Sequence, residues 1–568
     1  MGSSMARRKP QQASDLTRWV PWLAGLLTLL VFLPSAGNNF VNWDDDRNFL
    51  ENPYYRGLGP RQIAWAFQAF VLGHYHPLTW LSSSLDYVLW GMNPAGYHFT
   101  NVALHAITTV LVFLLFVDLL KKALNRESSP RLVWAAAAGA LAFSLHPLRV
   151  ESVAWASERR DVLCGVFYAG TLLLYVRGKG RWAIAAFVGA LLSKVLAVTL
   201  PVVLLLMDFY PLRRKFNRFV FWEKLPFFAL AAVAGFYAMT RTTGSFGSAT
   251  ADLGMYPDLR IGLSLYGLSF YLVKTLVPVS LYPQYVYSLE PQITDWRIVG
   301  AAVFVVAVTA LAIWQWRARP WIAAVWGAYV VTLLPVLSLL RLDRQQVVAD
   351  HHTYLATLGV ACLAAGIGLV QYEKRGRPIL LAAATMLAAF AGLTVYQIGH
   401  WSDSRTLWSR TVEGQPLSIV AHNNLGRALL EGGDAAAALQ LFDRAVELEP
   451  QYAQAQYNLG SLQMQQGSLA AAEASLRAAV EREPRLAQAQ NALGNCLLRQ
   501  ERVEEAVPHY EAALEAAPDY ADAHYNFGVA LEYLGRSLEA VYHYRLAAGL
   551  DPANADAVAG VRRLQPPR

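Results

Sequence analysis

Apolar runs broken by short polar stretches dominate the chain from residue 19 to about residue 402, and then stop. They begin near Trp19, Tyr97, Leu132, Val162, Trp182, Val195, Trp222, Arg260, Ile298, Trp321, Thr353 and Ile379. A helix crosses the hydrocarbon of a bilayer with about 20 apolar residues, fewer where flanking side chains snorkel. Each run is therefore a candidate crossing. The first follows basic residues as a signal peptide would, but the runs after it make it a retained anchor.

Beyond residue 402 the pattern becomes a repeat. Pro416, Pro450, Pro484, Pro518 and Pro552 recur at one constant interval, and Gly426, Gly460, Gly494 and Gly528 keep the same period. Ala438, Ala472, Ala506 and Ala540 form a third series, and Ala445, Ala479, Ala513 and Ala547 a fourth. The interval is that of the tetratricopeptide repeat, with small residues where paired helices cross and Pro at the repeat end. Four repeats occupy 417–552, residues 553–568 read as a capping helix and tail, and 403–416 as a linker. Such repeats stack into a superhelix whose concave face usually binds a peptide. Two positions before three of the glycines stand Asn424, Asn458 and Asn526, with Ala492 breaking the row. Their amides either bond the backbone of an extended acceptor peptide or tie neighbouring helices together.

Composition sharpens this division. Of 568 residues 55% are apolar and 16% charged, against roughly 25% charged in soluble proteins, which excludes a simple soluble enzyme. From Asp403 onward there are 14 Arg, no Lys and 21 acidic residues, and before it 34 basic and 20 acidic residues. The basic excess sits in short clusters between apolar runs, so it marks membrane topology rather than a nucleic-acid surface. Cys164, Cys362 and Cys496 suggest neither a disulfide framework nor a zinc site.

The positive-inside rule sets the sides. Arg7, Arg8, Lys9 and Arg18 place segment 1–18 in the cytoplasm. Clusters at Lys121–Arg131, Arg177–Arg181, Arg213–Lys215, Arg317–Arg319 and Lys374–Arg377 mark the later inside loops. Three runs lie between Lys215 and Arg317, where an even number of crossings is required. The run 260–281, carrying Lys274 and Pro278, is expected to lie on the surface or re-enter. Domain 19–402 then crosses eleven times, and the repeats lie outside the cytoplasm. That position is periplasmic for a bacterial inner-membrane protein and lumenal for one of the endoplasmic reticulum.

The outward segments carry the chemistry. Residues 42–53 read NWDDDRNFLENP. Three adjacent carboxylates form either a solvated, helix-capping loop or a general base whose pKa is raised by its neighbours. HPLRVESVAWASERRD (146–161) brings His146, Glu151, Glu158, Arg159, Arg160 and Asp161, as snorkelling pairs or as a site. Lys194 sits between two short apolar halves, and intramembrane charge is expensive and mostly functional. ADHHTYLATLG (349–359) adds His351 and His352, and HYHPLTWL (74–81) adds His76. No spacing matches a zinc helix, so no metal is expected.

Paired Asp in the first outward loop, His-Pro loops, many spans and a repeat tail resemble the transmembrane and tetratricopeptide-repeat O-mannosyltransferases, bacterial members above all. The resemblance covers nearly the whole chain. It implies an all-α polytopic GT-C glycosyltransferase domain followed by a repeat solenoid, with a polyprenyl-phosphate sugar as donor substrate and no cofactor. By that likeness Asp44 and Asp45 are the family's acidic pair, Asp161 closes an Arg-x-Asp-like element, and Lys194 matches a family Lys. Val195 stands where a Glu often follows that Lys, and His351 where an Arg is more usual.

The expected reaction is inverting transfer of the sugar to a Ser or Thr hydroxyl of a protein acceptor held by the repeats. Asp44, nearer the membrane, serves as base and Asp45 as its orienting neighbour. Arg159, Arg160, Lys194, His351 and His352 offset the charge of the leaving phosphate, with Glu151, Asp161, His76 and His146 around them. Two other readings stand beside it: transfer to a polysaccharide or lipid, and a non-catalytic scaffold whose repeats dock a partner.

Overall fold

The computed structural model describes residues 18–215, 217–242, 257–288, 291–339 and 346–564. Residues 1–17 of the expected cytoplasmic segment, 565–568 of the tail, and parts of the 241–297 and 341–352 loops lie outside them. The described residues fold into helices joined by turns and extended segments, without β-strands. They divide into two units, Met1–Gln415 and Pro416–Arg568.

Among the described residues of the first unit, five helices are long and apolar enough to cross a bilayer: Val20–Gly37, Pro94–Leu124, Arg218–Thr240, Trp296–Trp314 and Arg377–Gly399. In hydrocarbon only such closed hydrogen-bond ladders satisfy the backbone. Two bent pairs pass the same test, Pro130–Ser144 with Pro147–Ala154 at 54° and Asp350–Ala356 with Leu358–Arg375 at 59°. Gly180–Ser193, Val195–Phe209 and Pro320–Val336 are shorter apolar helices, and Arg159–Val176 follows the 146–161 motif. Of the eleven expected crossings, five coincide with the long apolar helices and two with the bent pairs, while those at Arg159–Val176 and the three shorter helices do not meet the same length and apolarity. Pro257–Leu276, the segment expected not to cross, is not among the helices long and apolar enough to do so. It packs through Leu263, Leu268 and Tyr271 against Val347, Val348, Tyr329 and Tyr285.

Local chemistry sets the helix ends. Pro94 occupies the first turn of Pro94–Leu124, where its missing N–H costs nothing, and the Asn93 side chain accepts from the Ala95 N–H. Asn125 ends that helix in the left-handed region (φ 51°), behind Lys121 and Lys122 in the last turn, where cations complement the carbonyl end. At 31 residues the helix is about 46 Å long, more than the hydrocarbon thickness of about 30 Å.

The loop before it is built rather than loose. Phe49, Tyr55, Trp80 and Tyr97 pack around Ala66, Ala69 and Ala156, held between the short helices Pro60–Gln68 and Pro77–Trp90. The segment expected as a linker, 403–416, holds a helix instead, Ser404–Gly414. Asp403 caps it through the Thr406 N–H at 2.8 Å, and Leu407, Trp408 and Thr411 are buried. It belongs to the first unit.

In the second unit the four repeats are helix pairs, from Ile419–Glu431 with Ala435–Leu448 to Ala521–Tyr533 with Ser537–Leu550, closed by Ala555–Leu564. The glycine series has a packing cause. A Cβ at Gly426, Gly460, Gly494 or Gly528 would sit 2.6–2.8 Å from Phe442, Leu476, Tyr510 or Tyr544, each on the second helix of the same repeat. The alanine series is fully buried at the same crossings.

Candidate active site

The first unit gathers most of the predicted polar residues into one cluster. Glu158, wholly buried, lies at its centre. It accepts from Arg160 through both Nε and Nη2, and from Lys194 Nζ at 3.4 Å. Lys194 also donates to Asp161 Oδ1 at 2.5 Å, and Ser152 donates to Asp161 Oδ2 at 3.0 Å. Lys194 reaches both acids because the chain is extended at this residue, between Gly180–Ser193 and the turn Val195–Thr199. Burial alone would push the Glu158 carboxyl up, but Arg160 and Lys194 override it and hold it well below the usual range. Arg160 and Lys194 keep 11% and 14% of their side chains exposed, so both cations have an open side.

His351 borders this cluster. Its Nδ1 is 3.0 Å from Glu151 Oε1, its backbone N–H donates to Glu151 Oε2 at 2.8 Å, and its Nε2 is 3.9 Å from Glu158. Asp350 beside it accepts from the Tyr285 hydroxyl at 2.9 Å. His76 stacks on Trp80 at 5.2 Å, is 7% exposed, and has a buried Nδ1 without a hydrogen-bond partner. Burial first, and then Arg160, lower its pKa to about 3, so its ring is neutral at ordinary pH.

Asp44 and Asp45 have different surroundings. Asp45 Oδ1 accepts from the Ser157 N–H at 2.9 Å and the Ser157 hydroxyl at 2.5 Å, and Oδ2 from the Val41 N–H at 3.0 Å. Asp45 is wholly buried, which pushes its pKa up to about 7 against those three bonds. Asp44 is half-buried, and its carboxylate accepts no hydrogen bond from the described residues. Burial raises its pKa to about 6, with Glu158 and Asp46 adding to the rise and Arg160 and Arg47 opposing it. One acid is tied down and the other is free.

Several expected site residues are used elsewhere. Arg159 is 1% exposed, and its guanidinium is occupied by Asn101, Ser82 at 2.9 Å, Asp86 at 2.6 Å and the Tyr97 carbonyl at 2.7 Å. It ties helices together, with four of its five N–H donors taken. His146 bonds the Thr275 carbonyl through Nε2 at 3.0 Å and accepts from the Leu148 N–H through Nδ1 at 3.2 Å, so it acts as a helix cap. His352 is 2% exposed and shares a 2.8 Å hydrogen bond with the Tyr271 hydroxyl. In the repeats Asn458 donates to Asn423 at 2.7 Å and Asn526 to Asn491 at 3.0 Å, while Asn424 accepts from Asn423 at 3.1 Å. Asn458 and Asn526 thus each tie neighbouring repeats through one amide bond, whereas the Asn423–Asn424 bond stays within one helix. Among the described residues no three His, Cys, Asp or Glu side chains converge to hold a metal.

Sequence reasoning passed over Ser157, Tyr285, Asp86 and the four indoles of Trp43, Trp155, Trp401 and Trp408. Ser157 and Trp155 lie inside the quoted 146–161 motif. Trp401 and Trp408 come from the far end of the unit, and nothing local signals them.

Comparison with known proteins bears on both units. The tetratricopeptide repeat family matches residues 391–453, 423–485, 457–519 and 492–555. Protein O-mannosyl-transferase Tmtc1 of Drosophila melanogaster is 33% identical over 210 residues, covering 34% of this chain and 23% of the relative. The chain is similar to the protein O-mannosyl-transferases. Protein O-mannosyl-transferase TMTC4 of Mus musculus is 25% identical over 490 residues, 74% of this chain and 65% of its own. Protein O-mannosyl-transferase F38B6.6 of Caenorhabditis elegans is 23% identical over 427 residues, 72% and 59%. The chain thus spans between 23% and 65% of the length of these relatives. Among solved structures, YrrB, described as a TPR protein with an unusual peptide-binding site, is 22% identical with a TM-score of 0.26. It covers 28% of this chain and 83% of its own.

Proposed function

We propose that the chain is a membrane glycosyltransferase that moves a sugar, mannose by analogy with its relatives, from a polyprenyl phosphate to a Ser or Thr hydroxyl of a protein. The observation that carries this reading is the unheld carboxylate of Asp44 beside the partly open cation Arg160, which shares Glu158 with Lys194. A hydroxyl attacks the anomeric carbon, its proton passes to Asp44, and the bond from that carbon to the phosphate oxygen breaks with its electron pair on the phosphate. A base with a pKa of about 6 is ionised at neutral pH and still basic enough to take the proton. Retaining transfer uses a second carboxylate as nucleophile. Asp45 is occupied by Ser157 and Val41, so the arrangement favours one displacement with inversion.

Arg160 and Lys194 meet the phosphate as its charge grows, in a site where low dielectric strengthens each contact. Neutral His76 adds a ring nitrogen without a partner. A cavity of about 400 Å³ supports a lipid-linked donor, because its walls are almost wholly apolar. They include Leu355, one turn past His351, and Tyr168, two turns past Asp161. The loops bearing Asp44 and Asp161 face away from the cytoplasm under the positive-inside reading, as do the repeats, which dock the acceptor. The helix-tying roles of Asn458 and Asn526 leave that docking to other residues of the groove.

The test is transfer from a polyprenyl-phosphate mannose by the full chain in vesicles. Sugar on a Ser/Thr-bearing peptide, lost in Asp44→Asn, supports the reading. Transfer only to polysaccharide or lipid moves the acceptor class, and partner binding without any transfer leaves the scaffold.

A further inference from the structure

The loop that carries Asp44 is held from behind by a segment from the far end of the same unit. The Asn38 amide reaches the Ile398 carbonyl at 3.5 Å, the Asn39 N–H donates to the Ser402 carbonyl at 2.8 Å, and the Asn42 N–H donates to Ser404 Oγ at 2.9 Å. Trp408 closes this seam. Its indole stacks on Trp43 with centroids 4.7 Å apart and 15° between the planes, and its Nε1–H donates to Asn42 Oδ1 at 2.6 Å. It is 0% exposed. Trp43 also stands edge-on to Trp155 at 5.6 Å, close in sequence to the Ser157 that fixes Asp45.

Asp44 is therefore flanked by two clamped neighbours, Trp43 and Asp45, while its own carboxylate is unheld. A carboxylate without hydrogen bonds of its own is aimed only by the backbone on either side. We propose that Trp408 is a positioning residue for Asp44, acting through Trp43 and Asn42. The helix that bears it, Ser404–Gly414, runs through Gln415 into the repeats at Pro416, so one short helix both aims the base and begins the attachment of the array. The inference rests on Asp44 being the base.

The experiment compares the parent, Trp408→Ala, Trp408→Phe and Asp44→Asn, each as the full chain in vesicles. Transfer from polyprenyl-phosphate mannose to a Ser/Thr peptide is followed across pH, and donor affinity is measured separately. Because displacement of a reacting group by about 1 Å costs on the order of 100-fold, Trp408→Ala should slow transfer by about 10- to 100-fold. Donor Kd should stay within about twofold, a split that general loss of structure does not give. The acid limb should shift to lower pH as water reaches Asp44. Trp408→Phe keeps a stacking ring and should recover most of the rate. If Trp408→Ala does not insert, Asn42→Ala, which removes the acceptor of the indole N–H, must slow transfer by at least about fivefold. Parent rate and an unmoved acid limb in these variants, with Asp44→Asn inactive, would overturn the positioning role alone. An active Asp44→Asn would instead remove the base assignment beneath it.

Discussion

Asp44→Asn should separate activity from stability, with opposite signs. Burial raises the Asp44 pKa from 3.8 to about 6, and each unit is worth about 1.36 kcal/mol between the two protonation states. The folded chain holds this proton more tightly than the unfolded chain. Ionisation therefore lowers stability as pH rises from about 4 to about 6, and the penalty is complete at pH 7. The shift corresponds to roughly 3 kcal/mol, and partial exposure with solvent screening reduces it to about 1–3 kcal/mol. Activity runs the other way, because the base must be ionised, so transfer should fall below about pH 6. Asp44→Asn removes both effects. At pH 7.5 it should lose about 100- to 10,000-fold in transfer and melt at a higher temperature than the parent, and at pH 4 the thermal advantage should vanish. Melting of both proteins in detergent at the two pH values, beside a transfer assay across pH, reads all of this. An unchanged rate in Asp44→Asn, or a lower melting temperature at pH 7.5, would refute the reasoning.

Asp45→Asn should behave in the reverse order: its amide would oppose one of the donors from Ser157 or Val41, at a cost of about 1–3 kcal/mol, so thermal stability falls first. A larger loss of transfer than in Asp44→Asn, at unchanged stability, would move the base to Asp45. Arg159→Ala should reduce the yield of folded protein, since it leaves Asp86 buried without its partner at a cost of about 3–5 kcal/mol; a well-folded variant with weakened donor affinity would return Arg159 to the phosphate site. Asn458→Ala should raise hydrogen exchange in the first two repeats while changing peptide affinity less than about twofold, and a large affinity loss without faster exchange would restore the acceptor ladder. A cysteine at the exposed Ser468 should be labelled from the side opposite the cytoplasm, and labelling from the cytoplasm alone would reverse the topology.

The repeat unit was almost fully legible because each of its constraints is local and recurs. A glycine facing a large side chain on the next helix leaves a mark once in every repeat, whatever its neighbours do. The helices of the first unit were legible for a similar reason, since a crossing is a property of about 20 consecutive residues. The site was legible by residue type but not by role. Asp44 and Asp45 are adjacent and alike, and only Ser157 and the Val41 N–H, which meet one of them, tell them apart. Arg159 and Arg160 are equally alike in sequence. The helical turn at the start of Arg159–Val176 sends the first to Asp86 and the second to Glu158. The supposed linker misled because its buried face is short, and Trp408 is buried against Trp43, far away in the chain. The asparagine row stayed open between two readings because an amide in register along a groove reads the same whether it meets a ligand or the next helix.

Asp44, Arg160 and Lys194 are proposed to form one reaction centre for a lipid-linked sugar. The most direct measurement is a structure of the full chain bound to a polyprenyl-phosphate mannose. The phosphate should lie within about 3 Å of Arg160 or Lys194, with the anomeric carbon on the side of Asp44 and the lipid entering the apolar cavity that ends at Leu124 and Tyr210. A phosphate seated elsewhere, such as against the buried Lys224–Asp208 pair, with Asp44 remote from the sugar, would contradict it.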